Sequence, residues 1–75
     1  MKLQKFIENF ALQFEETDKS KFQANTKYKE LEEWTSLMAL STIIMINDEY
    51  GVLVEGDNLR NFETIEDLYN IVESK

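Results

Sequence analysis

The sequence has no cysteine, no histidine and no proline, and only two glycines among its 75 residues. Without cysteine, no disulfide can brace a small fold and no thiol is present for covalent chemistry. Without histidine, the chain lacks the side chain best suited to proton transfer near neutral pH and a common metal ligand. A serine nucleophile would then need a carboxylate or lysine base held in a cleft, and a domain of this size has little room for one. The chain is therefore expected not to be an enzyme. No apolar run approaches the roughly 18 to 20 residues of a membrane span, and the N-terminus shows no basic, then long apolar, then small-residue leader. A cytoplasmic location is the expectation.

What is present is an apolar fraction of 43%, enough to argue against intrinsic disorder. Residues 1–75 read as a single domain, at a size where folding hides only about 60% of the surface of the unfolded chain. The core is expected to be thin and stability to come from apolar packing. The net charge of −7 is unevenly spread. Residues 1–29 hold six lysines against four acids, whereas residues 30–73 hold eleven acids against Arg60 alone. Such a field repels nucleic acid and anionic membranes and attracts basic patches on partner proteins. The acid pairs Glu32-Glu33, Asp48-Glu49 and Glu66-Asp67 are adjacent in sequence, so they diverge on a helix and are expected on the solvated surface, not around a metal.

Leu3, Phe6, Ile7, Phe10 and Phe14 recur at three- and four-residue spacing, with Lys2, Lys5, Glu8, Asn9 and Gln13 on the other side. The spacing predicts an amphipathic helix over about 3–16. Residues 17–29 are polar and lysine-rich and read as a long loop, with Phe22 and Tyr28 as its anchors to the core. Thr35 can cap a helix that starts at Ser36, runs to Tyr50 and stops at Gly51. Its stripe Ala39, Ile43, Ile46 and Tyr50 lies beside a second one, Leu37, Leu40 and Ile44, so the apolar arc is wide. Residues 55–61 read as a turn with at best one short helical turn around Leu59. Thr64 and Asp67 resemble a capping box, with Phe62 and Leu68 as a staple, for a last helix that buries Ile65, Leu68, Tyr69, Ile71 and Val72 and ends near Glu73. The expected fold is all-α, a small bundle of three principal helices plus one short helix.

Trp34-Thr35-Ser36-Leu37 places a hydroxyl in the first turn of a helix immediately after a long loop. Taken alone, Thr35-Ser36 is an ordinary capping pair. Over nearly its whole length, however, the sequence resembles the acyl carrier family. The resemblance rests on the apolar helix from Leu3, the Leu31-x-x-Trp34 approach, Ser36-Leu37, the exit Asp48-Glu49-Tyr50-Gly51-Val52, and Phe62-x-Thr64-Ile65-x-Asp67-Leu68. In that family a serine followed by leucine opens the second helix and receives phosphopantetheine from coenzyme A.

The resemblance implies that Ser36 carries 4'-phosphopantetheine, whose thiol holds acyl groups as thioesters. The partners it implies are a phosphopantetheinyl transferase and enzymes that load, modify and transfer the acyl group. Thr35, Leu37, Met38, Ser41, Met45, Asp48 and Glu49 are the expected partner contacts, and a monomer is expected. Thr35 stands where the family usually has Asp, which keeps a cap and loses a carboxylate. The helix meets its first acids only at Asp48 and Glu49, so docking is expected to be more apolar, as in a specialised carrier. A carrier of an aminoacyl or other small carboxylate group, and an unmodified interaction module of the same fold, stand as alternatives.

Overall fold

A helix drawn through Leu3, Phe6, Ile7 and Phe10 gathers their side chains into one stripe. The computed structural model describes residues 2–75 and builds that helix as α1, Lys2–Ala11, with Phe6, Ile7, Phe10 and Ala11 buried. The expected span of 3–16 is too long. Helical bonding extends to the Leu12 amide, which donates to the Glu8 carbonyl (3.1 Å), and the Gln13 and Phe14 amides then reach back only three residues. Beyond this point a contact distant in sequence keeps the helix from resuming. The Glu33 carboxylate accepts from the Glu16 amide (3.0 Å) and from the Thr17 hydroxyl, so the Glu16 amide cannot serve the Leu12 carbonyl. These bonds, that from Thr17 foremost, hold the Glu33 carboxyl below its usual range. Asn9, expected on the polar side, is buried, and its amide donates to the Tyr50 hydroxyl at 3.0 Å.

The polar stretch from 17 to 29 contains two short 3-10 turns, Lys19–Lys21 and Tyr28–Glu30. Phe22 and Tyr28 do anchor it in the core. Tyr28 is wholly buried. Its ring lies 4.9 Å from Trp34 and 5.8 Å from Phe10, and its hydroxyl lies 2.6 Å from the Leu59 carbonyl oxygen and 2.9 Å from that of Phe62. Around this point the Ile65 amide donates to the Thr26 carbonyl (3.2 Å) and the Glu66 amide to that of Ala24 (3.0 Å). Burial first, and then the charge of Asp67, push the Tyr28 phenol well above its usual range.

Helix α2 spans Ser36–Tyr50, and both of its ends match the expectation. Thr35, in an extended conformation, accepts the Met38 amide on its hydroxyl at 3.2 Å. Gly51 closes the helix with φ of +66°, a left-handed conformation that a Cβ would strain. Of the two stripes expected, that of Ala39, Ile43, Ile46 and Tyr50 faces the core, with Ile46 fully buried, and the other does not. Thr42, Met45 and Ile46 point into the core, whereas Leu37, Leu40 and Ile44 are 71%, 52% and 53% exposed. Thr42 can sit there because its hydroxyl donates to the Met38 carbonyl at 2.9 Å, which leaves no buried polar atom unpaired.

Residues Gly56–Asn61 form a six-residue helix, α3, longer than the single turn expected. The Asn58 side chain accepts the Glu55 amide at 3.2 Å, and Leu59 is buried beneath the helix. Helix α4, Ile65–Glu73, starts at the reciprocal pair expected: the Thr64 hydroxyl accepts the Asp67 amide (3.1 Å) and the Asp67 carboxylate accepts the Thr64 amide (3.2 Å). Helix α1 packs on α2 and α4, and α3 packs on α2. The result is an all-α bundle of three principal helices and one short one, 29 × 27 × 20 Å; among the described residues the only β-type pairing is the isolated bridge between Lys27 and Thr64.

Tyr28→Phe leaves the buried Leu59 carbonyl and the half-buried Phe62 carbonyl without their partner and is expected to cost about 1–3 kcal/mol, read as a lowered urea midpoint. Asp67 gives a pH test. Bonds from the Thr64 amide foremost, with those of the Glu63 amide and Thr64 hydroxyl, make its carboxyl more acidic than in the unfolded chain. The stabilisation is complete above the unfolded value of about 3.9 and is lost as pH falls through the lower folded value. Urea midpoints at pH 7 and pH 3 are expected to differ less in Asp67→Asn than in the parent.

Candidate functional site

Ser36 is the first residue of α2, and Thr35, Ser36 and Leu37 are all exposed. Three elements place it there. The loop anchored by Tyr28 delivers Trp34 against the rings of Phe10 and Tyr28, the Thr35 hydroxyl fixes the first helical turn, and the burial of Ile46 and Met45 holds the helix axis. The 15-residue helix directs its unpaired amides and the positive end of its dipole toward this residue.

A shallow groove of about 400 Å³ opens beside Ser36, between the first half of α2 and α3. Trp34, Ala39, Leu40, Ile43 and Leu59 form its apolar wall, and Lys29 and Arg60 stand on its border. Neither base was marked by the sequence reading. They lie 31 positions apart, and only the folding of the loop onto α3 brings them together, so the one sequence signal was that Arg60 is the lone base in an acidic stretch.

The expected contact residues fall into two sets, one at the start of α2 and one, Ser41, Met45, Asp48 and Glu49, around a shallow pocket toward its end. Thr35, Ser36 and Leu37 lie at the start of α2, Met38 and Ser41 are half-buried, and Asp48 and Glu49 are exposed near its end. Twelve positions at about 1.5 Å each set Asp48 roughly 18 Å along the axis from Ser36. Met45 is only 7% exposed and packs in the core, and its edge lines a shallow pocket with Ser41, Asp48 and Glu49. The helix repeat aligns Leu37, Leu40, Ser41, Ile44 and Asp48 along one side, and the three large apolar members of this row are open to solvent. Of the acid pairs expected on the solvated surface, Glu33 and Asp67 instead bond to backbone amides that shape the chain. Among the described residues no group of His, Cys, Asp and Glu is arranged to hold a metal ion, and no helix is long and apolar enough to cross a membrane.

Compared with models of known protein families, with curated proteins and with solved structures, the chain matches none.

The cap at Ser36 can be tested apart from any function. Thr35→Ala is expected to lower stability by about 1 kcal/mol, whereas Thr35→Asp, which can also cap, leaves it nearly unchanged. Urea denaturation of both variants checks this.

Proposed function

We propose that this chain is an acyl carrier in which Ser36 bears 4'-phosphopantetheine and presents acyl groups to enzymes of fatty-acid, lipid or polyketide-type biosynthesis. The observation that supports it most is the exposed hydroxyl of Ser36 at the first residue of α2, in the setting where the sequence resembles the acyl carrier family. The residues present fit such a group. A phosphodiester on Ser36 Oγ adds negative charge beside unpaired helix amides, where it is favoured, and the groove next to it offers an uncharged wall with two bases on its border. When bound, the arm supplies the thiol that the chain itself lacks and holds cargo as a thioester.

For attachment, Ser36 Oγ bonds to the pantetheine-bearing phosphorus of coenzyme A. The bond from that phosphorus to the bridging oxygen breaks, adenosine 3',5'-bisphosphate leaves, and the hydroxyl proton passes to a base of the transferase. The chain is not an enzyme in this reading. Its partners are the phosphopantetheinyl transferase and the loading, modifying and acyl-transfer enzymes, met as a monomer in the cytoplasm without nucleic acid or membrane. They dock on the side of α2 that bears Thr35, Leu37, Met38 and Ser41, with Asp48 and Glu49 at its far end. With Thr35 before the attachment residue and an apolar docking side, the chain suits a specialised carrier of a dedicated pathway.

A second reading draws on the exposed row Leu37, Leu40 and Ile44: an interaction module that keeps the fold and needs no arm. Mass spectrometry separates the two. After incubation with coenzyme A and a broad-specificity transferase, a gain of about 340 Da is expected in the parent and none in Ser36→Ala. A folded parent that gains nothing with several transferases rules out the carrier and leaves the interaction module.

A further inference from the structure

The groove beside Ser36 differs in charge from the half of the chain that builds it. Residues 30–73 carry eleven acids and a single base, yet no carboxylate lines the groove, and that one base, Arg60, lines it together with Lys29. The two are organised relative to each other. The Lys29 ammonium donates to the Arg60 carbonyl at 2.6 Å, which holds one base against the backbone of the other. That bond uses one of the ammonium's three protons and leaves two for a ligand. The Arg60 guanidinium pairs with Asp57 at the surface, where the two side chains are 76% and 74% exposed. Exposed pairs of this kind contribute little, so the guanidinium can turn to a more strongly charged acceptor.

We infer that Lys29 and Arg60 form an anion-binding rim whose ligand is a phosphate ester carried on Ser36 Oγ. The inference rests on the reading of Ser36 as the attachment residue and extends it to two side chains outside α2. A phosphate placed on this half of the molecule meets a strongly negative surround, and the rim is the local exception. The two bases offset that repulsion and keep the root of the arm against the groove. Arg60 supplies a planar fork suited to phosphate oxygens, and Lys29 supplies a point charge.

The test places a phosphate at the site without any transferase, by incorporating phosphoserine at position 36 during translation. Its second ionisation, near pH 6 in the absence of other charges, is followed by phosphorus NMR at low ionic strength. The rim is expected to hold this ionisation about 0.5 unit or more below its value in the double variant K29Q/R60Q, with each single variant in between. Raising the salt concentration is expected to narrow the gap. Lys27→Gln removes the same unit charge from a residue that does not line the groove, and is expected to shift the titration by less than either single variant. Equal titration in the parent and the double variant, or a Lys27→Gln shift as large as that of Lys29→Gln, overturns the rim. The attachment reading fails separately. A parent that gains the arm normally but shows no such shift loses only the rim, and one that shows the shift but never gains the arm keeps the rim and loses the carrier role.

Discussion

A phenol hydroxyl in the centre of a 75-residue domain is the constraint on which the rest of this structure depends. Tyr28 is completely buried, so its hydroxyl needs a partner, and its neighbours are the carbonyls of Leu59 and Phe62 at the end of α3. A residue of the long first connection thereby caps a helix that begins 28 positions later, at Gly56. The same contact fixes two further things. It seats the aromatic ring against Phe10 and Trp34, which sets where the chain enters α2, and it positions α3 as the opposite bank of the groove beside Ser36.

The forces that hold this arrangement are unequal. Full burial of one large apolar side chain contributes about 1.5–3 kcal/mol, and Phe6, Phe10, Ile46, Leu59, Ile65 and Leu68 are all at or below 2% exposure. The Arg60 to Asp57 pair, fully at the surface, adds little by comparison. Apolar burial therefore sets the fold, and the acidic surface is free to serve encounters with other molecules. Eight of the nine aromatic residues stand in ring-to-ring contact. They fall into two groups: Phe6 with Tyr50 and Tyr69 ties α1 to α2 and α4, and Phe10, Phe14, Phe22, Tyr28 and Trp34 tie α1 to the irregular segment that follows it.

What could be read from the sequence follows the range of the interactions involved. The ends of α2 and the start of α4 were legible because Thr35, Gly51, Thr64 and Asp67 act within four residues of themselves. The end of α1 was not, because the segment after it is held by the Glu33 carboxylate, 17 positions beyond the Glu16 amide it accepts from. The buried side of α2 was legible only in part, for another reason. Its apolar residues nearly encircle the helix, and the centre of the buried side is Thr42, whose hydroxyl is satisfied within its own helix. Of the two stripes read from the sequence, that of Ala39, Ile43, Ile46 and Tyr50 does lie on the core, whereas Leu37, Leu40 and Ile44 are exposed, and Met45, expected as a partner contact, sits in the core. Ser36 was legible as a position, whereas the groove beside it and its two bases exist only once the loop and α3 have met.

The indole of Trp34 is the only one in the molecule, and it forms part of the groove wall while lying edge-on to Tyr28 at 4.9 Å. The protein thus contains its own fluorophore in the wall of the groove beside Ser36. Its emission wavelength and quenching report the polarity of that wall, so occupancy of the groove can be followed in solution, in real time, on the unlabelled chain.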